Sequence, residues 1–143
     1  MTQRERVIAV AREWVGTPFL PGNCVKGRGC DCGTLLAGIF AEAGVIEMPD
    51  LGKYDYLAPC MRGSGFYIEL VERYADQISE RGALPGDIVM YVMGRTLSHA
   101  ALVIEWPRAV LHATKGRGAV MASGRAGMLT GRERSFFRMR GID

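Results

Sequence analysis

The spacing of apolar residues changes character at Leu84-Pro85-Gly86. Before this point apolar residues recur every three or four positions, which is the period of one face of an α-helix. After it they come in short runs rich in β-branched residues, the pattern typical of β-strands. Because helices and strands are segregated along the chain instead of alternating, the sequence predicts an α+β domain with N-terminal helices followed by an antiparallel sheet.

Three amphipathic stretches predict helices in the first half. The first covers about residues 3 to 14 and opens with Thr2 and Glu5, the pair that forms a capping box. The second begins near Asp31 or Cys32 and ends at Gly44, where glycine can adopt the left-handed cap. The third helix is predicted from a stripe of five apolar residues: Tyr67, Leu70, Val71, Tyr74 and Ile78.

The connections between these helices are predicted to be irregular. Residues 16–29 are rich in glycine and proline, and residues 45–63 show no regular period. Gly38 lies inside the second helix, where glycine costs ~1 kcal/mol relative to alanine. Its presence there predicts close packing against another element.

Five short apolar runs predict strands, at residues 88–92, 99–104, 110–113, 119–122 and 136–139. The chain has 143 residues, of which 48% are hydrophobic and 23% charged, and it contains no repeat or linker. This length and composition fit one compact domain that can bury a core. Residues 1–143 are therefore predicted to form a single domain.

Charge and hydropathy argue against several classes of partner. The net charge of +3 is too small to indicate nucleic-acid binding. No apolar run approaches the ~20 residues that cross a bilayer, and the N-terminus lacks the pattern of a secretion signal, so we expect neither a membrane span nor a cleavable leader. Basic residues do concentrate after residue 114, which is typical of a solvated face or of a docking surface for an anion. They are Lys115, Arg117, Arg125, Arg132, Arg134, Arg138 and Arg140.

The four cysteines raise the question of a metal site or a reactive thiol. They are Cys24, Cys30, Cys32 and Cys60. Without a secretory context, free thiols are favoured over a disulfide framework. Four thiolates could bind zinc, but the spacings lack the paired C-x2-4-C of common zinc sites and the deaminase signature is absent.

Cys32 has the sequence context of an activated nucleophile. A thiol loses its proton more readily at a helix N-terminus or beside an imidazole, and Cys32 follows Asp31, a good N-cap residue. The two histidines, His99 and His112, fall on neighbouring predicted strands. Inert burial is the alternative for all three residues.

The spacing of the histidines is compatible with a shared site. If their strands form a hairpin, the rings lie opposite each other when paired residue numbers sum to 211, since 99 plus 112 is 211. A slip of two residues keeps both on one face, whereas a slip of one separates them. One nucleophile, one base and one orienting group could then meet at a single point.

Five short motifs in a fixed order give a more specific indication. They are Gly16-Thr17-Pro18-Phe19, Gly29-Cys30-Asp31-Cys32, Pro85-Gly86-Asp87-Ile88-Val89, Ser98-His99-Ala100-Ala101-Leu102-Val103 and Val110-Leu111-His112-Ala113. Together they span nearly the whole chain. In this order the sequence resembles the NlpC-type family of cell-wall cysteine peptidases.

The resemblance implies a papain-like α+β fold with Cys32 as nucleophile, His99 as general base and His112 as the residue that orients it. It implies no metal or organic cofactor. Substrate contacts are expected at three positions within these motifs: Asp31, Phe19 and Ser98. The sequence departs from the family at Phe19, where tyrosine is common, and at Gly33, where serine is common.

The resemblance also implies a substrate and a setting. Family members commonly hydrolyse the γ-D-glutamyl to meso-diaminopimelate bond of peptidoglycan stems. The sequence is most similar to the short branch carried by phage tails and gene-transfer agents. We therefore expect tail hub or tail tip proteins as partners, and a place on a phage-like tail after cytoplasmic synthesis, acting in the host periplasm or cell wall. An amidase or acyltransferase on the same scaffold, or a tail component without activity, are the alternatives.

Overall fold

The structure is a computed structural model that describes residues 1–50 and 66–143, with side chains in the second segment from Ile68 onward. Its helices are α1 (Gln3–Trp14), α2 (Cys32–Glu42) and α3 (Phe66–Tyr74). Its strands are β1 (Ala75–Ile78), β2 (Ile88–Met93), β3 (Thr96–Glu105), β4 (Ala109–Thr114), β5 (Gly118–Ala122) and β6 (Arg134–Met139). Two short 3-10 turns, Glu80–Gly82 and Gly127–Leu129, complete the described elements.

All six strands form one antiparallel sheet in the order β1-β6-β2-β3-β4-β5. The prediction of helices followed by an antiparallel sheet is therefore confirmed, including all five predicted strands. The assignment of Ile78 to the third helix was wrong, because the chain leaves α3 at Tyr74 and continues directly as β1. Pairing with β6 decides this, with Ala75 opposite Met139 and Ile78 opposite Phe136.

The predicted helix ends and contacts are present. Thr2 and Glu5 form the capping box of α1, and Gly44 adopts a φ of +79° just beyond α2. A Cβ atom on Gly38 would lie 2.7 Å from the ring of Trp14, so α1 and α2 approach too closely there for any side chain. Residues 51–63 of the predicted irregular connection lie outside the described residues, as do Cys60 and the side chain of Tyr67.

Strand β3 separates two apolar cores. Ala100, Leu102 and Ile104 belong to the larger core with α1 and α2. Ala101 and Val103 alternate with them and belong to a smaller core with residues of β2, β4 and β6. The sheet is therefore covered on both faces along its central strand.

The register of the β3–β4 hairpin differs from the predicted one by two residues. Leu102 pairs with Leu111 and Val103 with Val110, so paired numbers sum to 213 instead of 211. The register of this hairpin shifts by one residue between Val103 and Glu105. The connection 106–108 is longer than the tight turn that the prediction assumed. A slip of two preserves the face, so both histidines remain on the same side of the sheet.

No helix in the described ranges is long and apolar enough to cross a bilayer.

Candidate active site

Cys32 is the first residue of α2, and its neighbour Asp31 organises the helix start. The Asp31 carboxylate accepts hydrogen bonds from the backbone N–H groups of Gly33 and Thr34, both at 3.0 Å, and from that of Gly22 at 2.7 Å. Asp31 is fully buried. These bonds tie the glycine-rich loop to the first turn of α2 around the candidate nucleophile.

Further contacts fix the same loop. The Thr34 hydroxyl accepts from the Asp31 N–H at 2.8 Å and donates to the Asn23 carbonyl at 2.6 Å. Lys26 bridges Glu13 of α1 and Glu42 of α2, at 2.6 and 2.8 Å. The loop that leads to Cys32 is thus attached to both helices.

The two histidines form a buried pair. Nε2 of His99 lies 2.8 Å from Nδ1 of His112, and the rings meet edge to face at 78°. His99 is 7% exposed and His112 is 3% exposed. Since one ring nitrogen must donate and the other accept, this contact couples the tautomers of the two rings.

Helix α2, which begins with Cys32, packs against β3 and β4, the strands that carry the histidines. Ala100 belongs to the same core as Cys32, whereas His99 alternates with Ala100 along β3 and lies on the face of Tyr91, Ala101 and Val103. The helix start with the thiol and the strands with the imidazoles are therefore parts of one packed unit. The catalytic assignment of the three residues stays a prediction at this point.

The surroundings of the histidines disfavour their charged forms. Burial, the adjacent His112 ring and the charge of Arg132 lower the pKa of His99 below its ordinary value of 6.5. Burial and the charge of Arg117 lower the pKa of His112 from the same value. Both rings are consequently neutral at neutral pH, as a proton acceptor must be.

The other described cysteines sit in surroundings that keep them protonated. Cys24, Cys30 and Cys32 are free thiols. Burial, with the nearby charge of Asp31, raises the pKa of Cys30 to about 12. Burial also raises the pKa of Cys24, whose Sγ donates to the Thr34 carbonyl at 3.2 Å. Residues 1–50 and 66–143 contain no group of three His, Cys, Asp or Glu side chains that could hold a metal ion.

The three predicted substrate contacts lie in different settings. Phe19 is half-buried in the loop and pairs with Cys30 in an isolated β-bridge. Ser98 is 2% exposed, next to His99, and its hydroxyl donates to the Met93 carbonyl at 3.4 Å. Asp31 is buried among backbone donors, which gives it a role in shaping the helix start. Substrate contact at Asp31, Phe19 and Ser98 stays a prediction.

The sequence did not predict that Tyr91, Arg117 and Arg132 act on the histidines. Tyr91 lies opposite His99 across β2 and β3, with ring centroids 6.4 Å apart. Arg132 and Arg117 bring positive charge to the pair. Arg117 stands in a Gly-Arg-Gly turn that the sequence does show, but its position beside His112 depends on how β4 pairs with β5.

The family model for NlpC/P60 matches residues 16–135. The chain belongs to the NlpC/P60 family. None of the curated proteins matches the chain. Among solved structures, the NlpC/p60 domain of the peptidoglycan hydrolase SagA is similar in fold, with a TM-score of 0.61 and 17% identity over 92% of this chain and 96% of that one.

Two further structures place this NlpC/P60 chain among varied relatives. NlpC1 from Trichomonas vaginalis gives a TM-score of 0.70 at 14% identity, and this chain spans only 44% of its length while 96% of this chain is covered. RipD from Mycobacterium tuberculosis, described as a non-catalytic NlpC/p60 domain protein adapted to peptidoglycan binding, gives 0.64 at 19% identity over 96% and 98% of the two chains. The predicted papain-like α+β fold is confirmed by these similarities.

Proposed function

We propose that this domain is a cysteine peptidase that hydrolyses the γ-D-glutamyl to meso-diaminopimelate bond of peptidoglycan stems. The supporting observation is the neutral, mutually bonded pair of His99 and His112 on strands packed against the helix that begins with Cys32. Membership of the NlpC/P60 family, in which SagA is described as a peptidoglycan hydrolase, supports the same function.

In the proposed acylation step, the Cys32 sulfur attacks the amide carbon while His99 takes the thiol proton. Nε2 of His99 is engaged with His112, so Nδ1 is the nitrogen that receives this proton. His99 then gives the proton to the leaving amine, the C–N bond breaks, and a thioester remains on Cys32. Water hydrolyses the thioester with His99 again acting as base.

His112 has a defined role in this scheme. When His99 is protonated, its Nε2–H donates to Nδ1 of His112 at 2.8 Å, which requires an unprotonated Nδ1. His112 therefore carries its single proton on Nε2. Its lowered pKa, caused by burial and Arg117, keeps it in this neutral form. His112 thus orients the His99 ring and accepts a bond from the imidazolium.

The developing oxyanion needs a donor, and we assign this role to the backbone N–H of Cys32. This group lies in the first turn of α2, where the helix dipole is positive. The three backbone bonds to Asp31 hold that turn in place. Asp31 then acts as a positioning residue for Cys32.

Mass analysis of muropeptides after digestion of purified peptidoglycan tests this function. The proposed peptidase exposes the amine of meso-diaminopimelate and leaves the sugar–peptide linkage intact. An amidase would instead release whole stems from the sugar, and an acyltransferase would return new amide products. A domain that acts like RipD would bind the polymer and release nothing.

We also propose that a phage-like tail delivers the domain to the cell wall, with tail hub or tail tip proteins as its partners. The support is the resemblance of the ordered motifs to the short phage-tail and gene-transfer-agent branch. Mass spectrometry of purified particles from the producing cell tests this, because the chain must then co-purify with the tail. Its absence from particles that contain the other tail proteins would overturn the proposal.

A further inference from the structure

Two turns lie at the end of the sheet that carries the histidines. One is Gly94-Arg95, between β2 and β3, and the other covers residues 115–117, between β4 and β5. Because β3 and β4 are antiparallel, the start of β3 adjoins the end of β4. Both turns therefore flank the pair of His99 and His112.

These turns carry positive charge that the described residues do not neutralise. Arg95, Lys115 and Arg117 are exposed, and within residues 1–50 and 66–143 none of them lies within 4.0 Å of a carboxylate. Four other arginines of the C-terminal half do have such partners at 2.8 to 3.0 Å. They are Arg125, Arg134, Arg138 and Arg140.

The turn with Arg117 is attached to the loop that leads to Cys32. The Ala119 N–H donates to the Thr17 carbonyl at 2.9 Å, and the Gly16 N–H donates to the Ala119 carbonyl at 2.8 Å. A Cβ atom on Gly118 would collide with the Thr17 carbonyl oxygen, and Gly118 has a φ of +73°. These close backbone contacts hold the turn with Arg117 against Gly16 and Thr17, at the start of the loop that leads to Cys32.

The charge of Arg117 also reaches the site, since it contributes to the lowered pKa of His112. An anionic group held at the histidines would meet the same positive charge, and salt would weaken that attraction.

We propose that Arg117, assisted by Arg95 and Lys115, determines specificity by binding a carboxylate of the stem peptide next to the scissile bond. A guanidinium forms bidentate, charge-assisted hydrogen bonds with a carboxylate, and exposure leaves its donors available. This inference rests on the proposed function, because it names the group that the same site recognises. Peptidoglycan stems with free carboxylates are then preferred over stems in which they are amidated.

Binding to the full chain carrying Cys32→Ala tests this without requiring turnover. The probes are the tripeptide L-Ala-γ-D-Glu-meso-diaminopimelate with free carboxylates and the same peptide with them amidated, measured by calorimetry. We expect tighter binding of the free acid, and Arg117→Gln weakens that binding about tenfold while leaving the amidated peptide unchanged. Arg108→Gln is the matched control, because Arg108 is exposed in the 106–108 connection at the opposite end of the sheet.

Equal affinity for the two peptides would overturn the inference, as would equal effects of Arg117→Gln and Arg108→Gln. The salt dependence gives a second measure: affinity for the free acid falls as salt rises, and falls less in Arg117→Gln. If the free acid binds preferentially but the unsubstituted chain cleaves neither peptide, the proposed function fails and the carboxylate site stands. If cleavage occurs with no preference, the carboxylate site fails and the function stands.

Discussion

The sheet contains two buried polar clusters that are built in opposite ways. Asp87 is fully buried and accepts hydrogen bonds from Arg4 at 3.0 Å, from Arg138 at 2.8 and 3.1 Å, and from the Leu84 N–H at 2.8 Å. The imidazole pair has its mutual bond of 2.8 Å and positive charges nearby that disfavour protonation. One cluster neutralises its charge, and the other is kept uncharged.

This difference separates a structural cluster from a reactive one. Asp87 joins the N-terminal helix, the 84–87 turn and the last strand, so its fixed charge holds distant parts of the chain together. The histidine pair has no carboxylate partner among the described residues, and its lowered pKa values leave both rings free to accept a proton. The contrast predicts that substitutions at Asp87 change stability and substitutions at the histidines change activity.

The largest effect is expected for His99→Gln. Because one ring serves as both base and acid, its loss lowers kcat/KM by ~10²–10⁴-fold. Glutamine keeps a polar side chain in the strand, so the thermal midpoint changes little. Kinetics on a stem peptide, with thermal unfolding of the same sample, check both expectations. Activity within a few-fold of the unsubstituted chain would remove His99 from the mechanism.

Asp87→Asn should have the opposite signature. It leaves two guanidinium groups without their buried counter-charge, which costs roughly 3 kcal/mol of unfolding free energy. Asp76→Asn is the matched control, since the Asp76–Arg140 pair is exposed and such pairs contribute ~1 kcal/mol or less. Urea denaturation measures the two. A larger loss of unfolding free energy in Asp76→Asn than in Asp87→Asn would contradict this prediction. So would a loss of kcat in an Asp87→Asn variant that remains folded.

His112→Gln should lower kcat less than His99→Gln, by ~10–10²-fold. An orienting group can be partly replaced by another polar side chain or by water, whereas the proton carrier cannot. The two variants are compared on the same peptide. If His112→Gln is as damaging as His99→Gln or more so, the roles of the two rings are reversed.

The last effect is on stability as a function of pH, and it is spread over two pH units instead of arising from one substitution. Both rings are neutral in the folded chain, whereas in the unfolded chain they gain protons near their ordinary pKa of 6.5. Unfolding therefore takes up protons below that pH, and stability falls as pH falls, by up to about 1.4 kcal/mol per pH unit for each proton. Urea denaturation between about pH 7 and pH 5 measures this slope. We expect the unfolding free energy of His112→Gln to fall less steeply with pH, because this variant lacks one of the two rings. A slope equal to that of the unsubstituted chain would contradict the assignment of two neutral rings.

Much of the fold was predictable because its signals are local. The capping box at Thr2 and Glu5, the N-cap at Asp31 and the apolar runs of β2 to β6 are all readable within a few residues. Strand β1 was not predictable, since Ile78 also fits the helical stripe and only pairing with β6 assigns it to a strand. The hairpin register was off by two for a similar reason, because the shift before Glu105 depends on the paired strand.

In the candidate site, too, the residue types could be predicted from local sequence, whereas their contacts depend on residues far apart in the chain. Residue type and spacing indicated Cys32, His99 and His112, but not the bonded nitrogens or the burial of the rings. The basic C-terminal stretch also looked uniform in sequence. In the structure Arg134 and Arg138 have carboxylate partners, whereas Arg117 has none among the described residues. Charge partners far apart in the chain decide which arginines are available.

The most direct test of the central claim is peptidoglycan hydrolysis by Cys32→Ala beside the unsubstituted chain. Cys24→Ala is the control, because Cys24 is a nearby free thiol whose raised pKa keeps it protonated. We predict that the unsubstituted chain and Cys24→Ala release fragments with a free meso-diaminopimelate amine, while Cys32→Ala releases none and keeps its far-UV circular dichroism. Undiminished release by a folded Cys32→Ala variant would contradict the assignment of Cys32 as the nucleophile.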